Sequence, residues 1–281
     1  MTSDADRVVL ITGAGGGIGA ETALTFTEEG WTVYATDVAT PLPDRVSERC
    51  RTRALDVTSD EQCQAVVDEI REAADGVDCL VNNAGYAAPG PVEDIGTETA
   101  RDVFDVLAHG PHRLATAVLP EMRRTGGRIV NVSSMLGRSA YPGMGAYCGG
   151  KAALSAMTDS LRMELAGNPA VHVVLVEPAW VETDFAENAR SRLPEERTPD
   201  YDATYEALEE GWGLESGPLA ASPEAVAATI LDAATDDDPD ARYPVGRFAQ
   251  FAQWTEWLPP RAADRIQLGF GRLSTRLNRW L

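Results

Sequence analysis

Lysine is almost absent from this chain of 281 residues. Lys151 is the only one, and the other 23 of the 24 basic residues are arginine. An ammonium is a compact point charge on a flexible stem, whereas a guanidinium is a wide planar fork with more diffuse charge. The single lysine therefore marks a position that needs a compact charge, and it stands four residues after Tyr147.

Cysteines and long apolar runs are also scarce. The four cysteines, Cys50, Cys63, Cys79 and Cys148, form no CxxC pair, and the chain is too long to depend on disulfides. No apolar run approaches the roughly 18 residues of a membrane-spanning helix. The first residues lack the basic and apolar regions of a secretory signal. We expect a soluble, cytoplasmic protein with reduced thiols.

Acidic residues far outnumber basic ones. The 44 acidic residues give a net charge of -20, which disfavours nucleic acid and acidic partners. Acidity with almost no lysine resembles proteins of high-salt cytoplasms, whose hydrated, self-repelling surfaces stay soluble when salt screens charge. This halophilic interpretation has an alternative, since a GC-rich genome favours the same residue types.

Short apolar runs alternate with helical stretches along the chain. The runs "RVVLITG", "TVYATD", "RTRALDV", "VDCLVNNAG", "GRIVNVSS", "VHVVLVEP" and "RYPVG" predict strands, and long helices are expected near 17–30, 97–124 and 145–166. Before a further helix, Ser222 is a candidate N-cap and Pro223 a first helical residue. Strands that are apolar throughout, separated by helices, predict an α/β fold with a doubly wound parallel sheet of the Rossmann type.

We expect a single domain over residues 1–246 and a C-terminal helical extension over 247–281. The domain includes an irregular insertion at about 184–221, which carries Tyr201, Tyr205 and Trp212. Its aromatic residues suit a lid over an apolar substrate, a dimer interface or a satellite core, and the sequence does not choose among them. The extension carries the aromatic residues Trp254, Trp257, Phe270 and Trp280.

The extension also has a charge opposite to that of the rest. Residues 241–281 hold seven arginines against Glu256 and Asp264, a balance of +5. An apolar helical stripe beside arginines can lie on a membrane or pack on the acidic body of the protein, and the second interpretation is favoured. The stripe consists of Ile266, Phe270, Leu273 and Leu277, and the arginines are Arg265, Arg272, Arg276 and Arg279.

A glycine-rich turn follows the first predicted strand. In "TGAGGGIG" the backbone can approach a pyrophosphate closely, and the following helix presents free N–H groups to it. The turn contributes Gly13, Gly17, Ile18 and Gly19 as candidate cofactor residues. The second strand ends at Asp37, whose carboxylate can accept bonds from both ribose hydroxyls and repels a 2′-phosphate. These features predict NAD rather than NADP.

Four motifs together resemble the short-chain dehydrogenase/reductase family. They are "TGAGGGIG", "NNAG" at Asn82–Gly85, "YCGGK" and "VEPAWVETDF", in matching order and spacing from about Arg7 to Gly246. The resemblance implies further cofactor contacts from Asp56, Val57, Asn83, Ala84, Gly85, Val181 and Thr183, besides Tyr147 and Lys151. It implies a homodimer or homotetramer as well. Ala179 stands where the family usually has glycine, and the chain is more loosely similar to the retinol and 17β-hydroxysteroid dehydrogenase branch.

Tyr147 and Lys151 share one helix face because they are four residues apart. A tyrosine with a pKa near 10 is a poor acid–base catalyst at neutral pH, and an ammonium about 4–5 Å away is expected to lower this pKa. Tyr147 then exchanges a proton with the substrate oxygen as hydride moves to or from NAD. Matching the family pattern, Ser134 holds that oxygen, and Ser133 ranks below it. No metal site is expected.

One residue departs from the family pattern. The family usually has an asparagine of the proton relay three residues before Gly110, where this chain has Leu107. Either a backbone carbonyl and water carry the relay or activity is weakened. His109 and His112 are weaker candidates for a substitute route, and Cys148 is interpreted as an ordinary helix residue.

The sequence therefore predicts an NAD-dependent enzyme that interconverts an apolar alcohol and the matching carbonyl compound. Two alternatives remain open. One is a nucleotide-binding regulator on the same fold, with catalysis impaired through Leu107. The other is a lyase or epimerase that recycles bound NAD.

Overall fold

Seven parallel strands form one sheet in the computed structural model of the protein. The order across the sheet is β3-β2-β1-β4-β5-β6-β7. The structure describes residues 7–211, 220–246, 249, 258, 259 and 261–266. The predicted fold class is confirmed, because helices cover both faces of a doubly wound parallel sheet.

The elements alternate along the chain as predicted. The strands are β1 (Val8–Thr12), β2 (Thr32–Asp37), β3 (Arg51–Ala54), β4 (Cys79–Asn82), β5 (Gly127–Val132), β6 (Val171–Pro178) and β7 (Arg242–Val245). The α-helices are α1 (Gly17–Glu28), α2 (Asp44–Ser47), α3 (Asp60–Ala74), α4 (Thr97–Phe104), α5 (Gly110–Thr125), α6 (Gly145–Glu164), α7 (Phe185–Arg190), α8 (Asp202–Glu209) and α9 (Pro223–Thr235). Short 3-10 helices cover Met135–Gly137 and Pro199–Tyr201.

Both faces of the sheet are buried, which explains why its central strands are mostly apolar and show no alternation of apolar and polar residues. Along β1, Val9 and Ile11 belong to the core beneath α1 and α9. Val8 and Leu10 point the other way, into the core beneath α3 and α5. The Ser222 side chain accepts a hydrogen bond from the N–H of Ala225, and this confirms the predicted cap of α9.

From β1 the chain adds β2 and β3 on one side of the sheet and then β4 to β7 on the other side. The two neighbours of β1 are β2 and β4, so the loops that follow β1 and β4 leave the sheet on opposite faces. A crevice opens at the carboxyl ends of these strands, where open α/β sheets bind ligands. The glycine-rich turn follows β1 and the "NNAG" segment follows β4, so both motifs meet at this crevice.

The long helix predicted over 97–124 is interrupted. A π-helical turn at Asp105–His109 separates α4 from α5. An uninterrupted α-helix would pair the Leu107 carbonyl with the N–H of residue 111, but Pro111 has no N–H to donate. Such wide turns occur often at functional sites. The interruption lies at the position where the sequence departs from the family pattern.

Candidate active site

The glycine-rich turn after β1 fits the backbone of a dinucleotide. Gly13 and Gly17 have φ of 70° and 48°, a region that favours glycine. A Cβ on Gly13 would lie 2.8 Å from the Cα of Ala84, and one on Gly19 would lie 2.0 Å from the Gly13 carbonyl oxygen. The turn therefore presents bare backbone beside the N-terminus of α1, as a pyrophosphate requires. Ile18 lies beside it and lines the pocket described below.

The loop after β4 is tied to the same turn. The Asn83 side-chain amide donates to the carbonyl oxygens of Thr12 and Gly13, at 3.0 and 3.1 Å. The Thr12 hydroxyl accepts from the N–H groups of Asn83 and Ala84, both at 3.0 Å. Gly85 follows, and a Cβ there would lie 2.8 Å from the Leu107 side chain. These bonds hold the predicted residues 83–85 along one wall of the crevice.

Asp37 ends β2 beside the glycine-rich turn. Its Oδ2 accepts from the N–H of Gly15 at 2.9 Å, and its Oδ1 accepts from the N–H of Ala39 at 3.0 Å. The carboxylate is thus oriented at the edge of the crevice, where the adenosine ribose of a dinucleotide lies in this fold.

Asp56 and Val57 form the next turn along this edge. The Asp56 Oδ1 accepts from both the N–H and the hydroxyl of Thr58, at 2.9 and 2.7 Å. Val57 is buried against Gly110, where a Cβ would lie 2.9 Å from its side chain. The structure therefore places both residues in an ordered turn beyond the end of β3.

Ser134, Tyr147 and Lys151 are brought together, as the sequence predicts. Ser134 follows β5, whereas Tyr147 and Lys151 lie on α6. Ser134 lies close enough to the Tyr147 hydroxyl to lower the pKa of that phenol. The Lys151 ammonium donates to the Val132 carbonyl oxygen at 2.7 Å and lies 5.9 Å from the centroid of the Tyr147 ring. The three side chains form one buried polar cluster.

One electrostatic expectation is corrected. Burial raises the pKa of Tyr147 well above its usual value, and the interaction with Ser134 opposes this only in part. The pKa is therefore raised, contrary to the expectation for a tyrosine beside Lys151, because desolvation of the phenolate is the largest influence. Burial lowers the pKa of Lys151 to about 8. Tyr147 accordingly keeps its proton at neutral pH.

The two neighbouring side chains with reactive groups have structural roles. The Ser133 hydroxyl bonds the Lys151 carbonyl oxygen at 3.2 Å and the Ser155 hydroxyl at 3.0 Å, so both of these bonds join it to α6. Cys148 is 7% exposed, and burial raises the pKa of its thiol. All four cysteines are free thiols. These positions agree with the lower rank of Ser133 and with Cys148 as a helix residue.

Leu107 is fully buried beside the catalytic helix. A Cβ on Gly150 would lie 3.0 Å from its side chain, so Leu107 fills the space between α6 and Gly85. His109 and His112 are both exposed and neither lines the pocket at Tyr147. The structure does not bring them to the proton-transfer site. Within the described residues, no group of three or more His, Cys, Asp or Glu side chains could hold a metal ion.

An apolar pocket of about 110 Å³ opens beside Tyr147. Its walls include Met135, Leu136, Trp180 and Phe185, none of which the sequence analysis singled out. The Phe185 ring meets the Tyr147 ring edge-on, with centroids 5.5 Å apart. The sequence signal was present in "VEPAWVETDF", where two aromatic residues flank the segment implied at the cofactor.

The segment after β6 connects this pocket to the cofactor crevice. Val181 forms a parallel bridge with Ala221, and Thr183 stands against Gly17, where a Cβ would lie 2.8 Å from its side chain. Ala179 donates its N–H to the Val245 carbonyl oxygen and has no positive φ. Alanine is therefore accommodated where the family usually has glycine.

The insertion is held by the loop that precedes α4. Tyr205 and Tyr201 donate their hydroxyls to Asp94 and Glu93, at 2.6 and 2.9 Å. Neither tyrosine lines the pocket at Tyr147, so both anchor the insertion to this loop rather than forming a wall of the site. Ile266 ends a described helical segment over 261–266 and is 41% exposed. The other aromatic and stripe residues lie outside the described residues: Trp212, Trp254, Trp257, Phe270, Leu273, Leu277 and Trp280.

Comparisons with known proteins agree with this geometry. The model of the short chain dehydrogenase family matches residues 7–194, so the protein belongs to that family of oxidoreductases. An uncharacterized oxidoreductase of Escherichia coli, YbbO, is 32% identical over 273 residues, which are 94% of each chain. The crystal structure of a short-chain dehydrogenase from Streptomyces avermitilis is 30% identical, with a TM-score of 0.80 over 98% of both chains.

Two solved neighbours carry nicotinamide nucleotides. A short-chain dehydrogenase/reductase from Burkholderia phymatum, in complex with NAD, is 28% identical, with a TM-score of 0.73 over 86% of this chain and 90% of its own. One from Burkholderia cenocepacia, in complex with NADP, is 25% identical, with a TM-score of 0.75 over 94% and 98%. Both nucleotides therefore occur on this fold. In the described part of the chain, no helix is long and apolar enough to cross a membrane.

Proposed function

We propose that the protein is an NAD-dependent oxidoreductase that interconverts an apolar alcohol and its carbonyl compound, working as a homodimer or homotetramer. The observation that carries the proposal is the buried cluster of Ser134, Tyr147 and Lys151 beside the glycine-rich turn. When bound, NAD would accept the hydride in alcohol oxidation, and NADH would donate it in carbonyl reduction. The residues of the chain bind the nucleotide, orient the substrate and move one proton.

Tyr147 is the proton donor and acceptor in this scheme. Its raised pKa keeps the phenol protonated at neutral pH, which suits proton delivery to a carbonyl oxygen. In the oxidative direction it accepts the proton of the alcohol, and Lys151 stabilises the phenolate that forms. Because the Lys151 pKa is about 8, this stabilisation is present at neutral pH and is lost as the pH rises further.

Ser134 orients the substrate oxygen. Its oxygen already accepts from the N–H of Leu136 at 3.1 Å, so the hydroxyl proton is directed elsewhere. A hydroxyl fixed in this way can donate to the substrate oxygen as negative charge develops on it.

Asp37 supports the choice of NAD. Two backbone N–H groups hold its carboxylate, which would repel a 2′-phosphate. Arg53 lies on β3 opposite Thr36, the neighbour of Asp37. Its guanidinium donates to the Glu69 carboxylate and not to Asp37. Among the described residues, no arginine forms an ion pair with the Asp37 carboxylate, which bonds the two backbone N–H groups instead.

The pocket lining supports an apolar substrate. None of its described lining residues is charged: besides the hydroxyl groups of Ser133, Ser134 and Thr183, the walls around Tyr147 are thioether, aliphatic and aromatic side chains. A carboxylate or sulfonate placed there would lose water without gaining a cation. An uncharged carbonyl group with apolar substituents therefore fits best.

A second candidate is a nucleotide-binding regulator in which Leu107 interrupts the proton relay. The interrupted helix favours the enzyme instead. Pro111 removes the α-helical donor of the Leu107 carbonyl, which makes this backbone oxygen beside α6 a candidate acceptor for a water of the relay. A carbonyl can thus serve where the asparagine side chain is missing.

One experiment separates the two candidates. Turnover is measured with NAD and NADP over uncharged aliphatic, aromatic, steroid and retinoid alcohols and ketones, for wild type, Tyr147→Phe and Leu107→Asn. We expect NAD-linked turnover that falls about 1,000-fold in Tyr147→Phe, as for loss of a general acid and base. Leu107→Asn should change kcat by less than about threefold, since the backbone carries the relay.

Other outcomes would decide against the enzyme as proposed. Nucleotide binding without turnover in wild type, together with turnover gained in Leu107→Asn, would favour the regulator. Equal turnover in wild type and Tyr147→Phe would overturn the proton-transfer scheme. A preference for NADP would overturn the role given to Asp37.

A further inference from the structure

A carboxylate is buried in the middle of the molecule and takes no part in the mechanism above. Glu177 lies in the apolar strand β6, and its side chain is 2% exposed. A buried charge is costly unless it is paired and hydrogen-bonded. Here two arginines supply the pairing, Arg138 from the loop after β5 and Arg242 from β7.

Arg138 binds Glu177 with both ends of its guanidinium. Its Nε donates to Oε1 at 2.7 Å and its Nη2 donates to Oε2 at 2.8 Å. Two parallel bonds of this kind fix orientation as well as distance. Because the pair is buried, salt screens it far less than it screens a surface ion pair. The Arg138–Glu177 pair is therefore a rigid connection, at the carboxyl edge of the sheet, between the loop after β5 and the end of β6, where the next loop begins.

One of these loops carries Ser134. The turn Met135–Gly137 is closed by bonds from Gly137 N–H to the Ser134 carbonyl oxygen, at 2.9 Å, and from Arg138 N–H to that of Met135, at 3.1 Å. The same turn supplies the Leu136 N–H that holds the Ser134 hydroxyl. The position of the Ser134 hydroxyl therefore depends on this turn, and Arg138, the residue directly after the turn, is anchored by Glu177.

The other loop forms the opposite wall of the pocket. Glu177 directly precedes Pro178, and the next three residues, Ala179, Trp180 and Val181, all line the cavity beside Tyr147. A single carboxylate thus sets the distance between the Ser134 turn and the wall that faces it.

We propose that Arg138 and Glu177 are positioning residues. They hold the Ser134 hydroxyl at a fixed distance from Tyr147 and from the pocket residues 179–181 that follow β6. The proposal rests on the proposed function for its kinetic consequence, because Ser134 acts on a substrate oxygen. Its structural part, the anchoring of the turn, stands without any substrate.

Arg242 provides a control within the same cluster. Its Nη1 donates to the same Glu177 Oε1 at 2.8 Å, whereas its Nη2 reaches Asp159 on α6. Arg242 lies on β7 and is not part of either loop. Removing it takes away an ion-pair partner of Glu177 but leaves the bidentate connection to the Ser134 turn.

The test compares Arg138→Met with Arg242→Met in the full chain. Hydrogen exchange of a peptide spanning 134–139 is measured by mass spectrometry, with kcat, KM and the Kd of NADH. In Arg138→Met we expect faster exchange at Leu136–Ser139 and a 10- to 100-fold loss of kcat/KM, since a misplacement of about 1 Å has this effect. The loss should fall mainly on kcat rather than on KM, because the Ser134 hydroxyl acts on the charge that develops on the substrate oxygen. In Arg242→Met all of these, and NADH binding, should stay within about threefold of wild type.

A double variant guards against simple misfolding. Removing one partner leaves a buried charge, whereas replacing both with apolar groups is far better tolerated. Arg138→Met/Glu177→Leu should therefore recover much of the thermal stability but keep the fast exchange and the low kcat/KM. Recovery of kcat/KM together with stability would reduce the pair to a structural role and overturn the proposal.

The remaining outcomes are equally decisive. Equal losses of kcat/KM in Arg138→Met and Arg242→Met would overturn the proposal that Arg138 and Glu177 position Ser134. Unchanged hydrogen exchange at 134–139 in Arg138→Met would overturn it too. If wild type turns over no alcohol or ketone, the proposed function fails. The exchange comparison still decides whether Arg138 and Glu177 anchor the turn.

Discussion

Lys151 carries a charge in a place that disfavours charge. The side chain is 4% exposed, and burial lowers its pKa to about 8 from an ordinary 10.5. The protein therefore keeps an ammonium beside Tyr147 at a cost in stability, as functional sites commonly do. Only a slender, compact cation fits between the Val132 carbonyl and the tyrosine ring, which gives the lone lysine a physical reason.

This cost should be visible as a dependence of stability on pH. Between pH 8 and 10.5 the unfolded chain binds the Lys151 proton and the folded chain does not, so unfolding becomes less favourable as the pH rises. Relative to Lys151→Met, the wild-type free energy of unfolding should increase by about 2 kcal/mol between pH 7 and 9.5. Urea unfolding of both proteins at the two pH values measures it. A constant difference between them would contradict the buried charge.

The residues proposed as catalytic were the most predictable part of the candidate site. Tyr147 and Lys151 lie one helical turn apart, so their spacing alone places them on a common face. Arg138 and Glu177 are 39 residues apart, and only the pairing of β5 with β6 brings their loops together. Glu177 did leave a signal in the sequence, a lone acid in an otherwise apolar strand. Its partner could not be found without the fold.

At the scale of elements, Asp94 ties the insertion to the loop before α4 with three hydrogen bonds. Asp94 accepts from the N–H and the hydroxyl of Thr198, at 3.1 and 2.6 Å, and from the Tyr205 hydroxyl. The hydrogen bond from Thr198 is the largest influence that lowers the pKa of Asp94. These bonds therefore persist at neutral pH and are lost only as the pH falls through that lowered pKa.

Removing Asp94 should loosen the insertion without disturbing the cofactor crevice. In Asp94→Ala we expect KM for the carbonyl substrate to rise about tenfold, while the Kd of NADH changes by less than about twofold. Limited trypsin digestion should cut sooner at Arg192 or Arg197. Asp200→Ala, which removes an exposed carboxylate from the same segment, is the matched control. A parallel rise of KM in both variants would argue against Asp94 as the anchor.

The helical region before β5 shows where sequence patterns are limited. The sequence pattern predicted a long helical stretch over 97–124. Such a pattern does not reveal where backbone hydrogen bonds change from joining residues four apart to joining residues five apart. Pro111 was the available signal, because a proline inside a helical pattern disrupts the bond to the residue four positions earlier. That residue is Leu107, so the departure in sequence and the irregularity in structure coincide.

The whole molecule is dominated by its negative charge. A net charge of -20 on a fold of this size produces strong self-repulsion, which weakens the compact state at low ionic strength. The ion pairs at the surface offset little of this, because exposed pairs contribute weakly. Salt shortens the Debye length from about 30 Å at 0.01 M to about 3 Å at 1 M and suppresses the repulsion.

Stability should consequently increase with salt. We expect Tm to rise by about 5 °C or more between 0.05 and 2 M KCl, measured by differential scanning fluorimetry at pH 7. Sucrose, which carries no charge, serves as the comparison for effects unrelated to screening. A Tm that is flat or falls with KCl would favour genome composition over adaptation to high salt.

The burial of the only lysine has a practical consequence for anyone who handles the protein. Amine-directed crosslinkers, fluorophores and resins find no accessible lysine on the folded chain, because Lys151 is enclosed beneath the active site. A lysine-specific protease likewise has one cleavage site, which opens only on unfolding and divides the chain at the catalytic helix. Covalent labelling at this position would therefore report the loss of the native state rather than its surface.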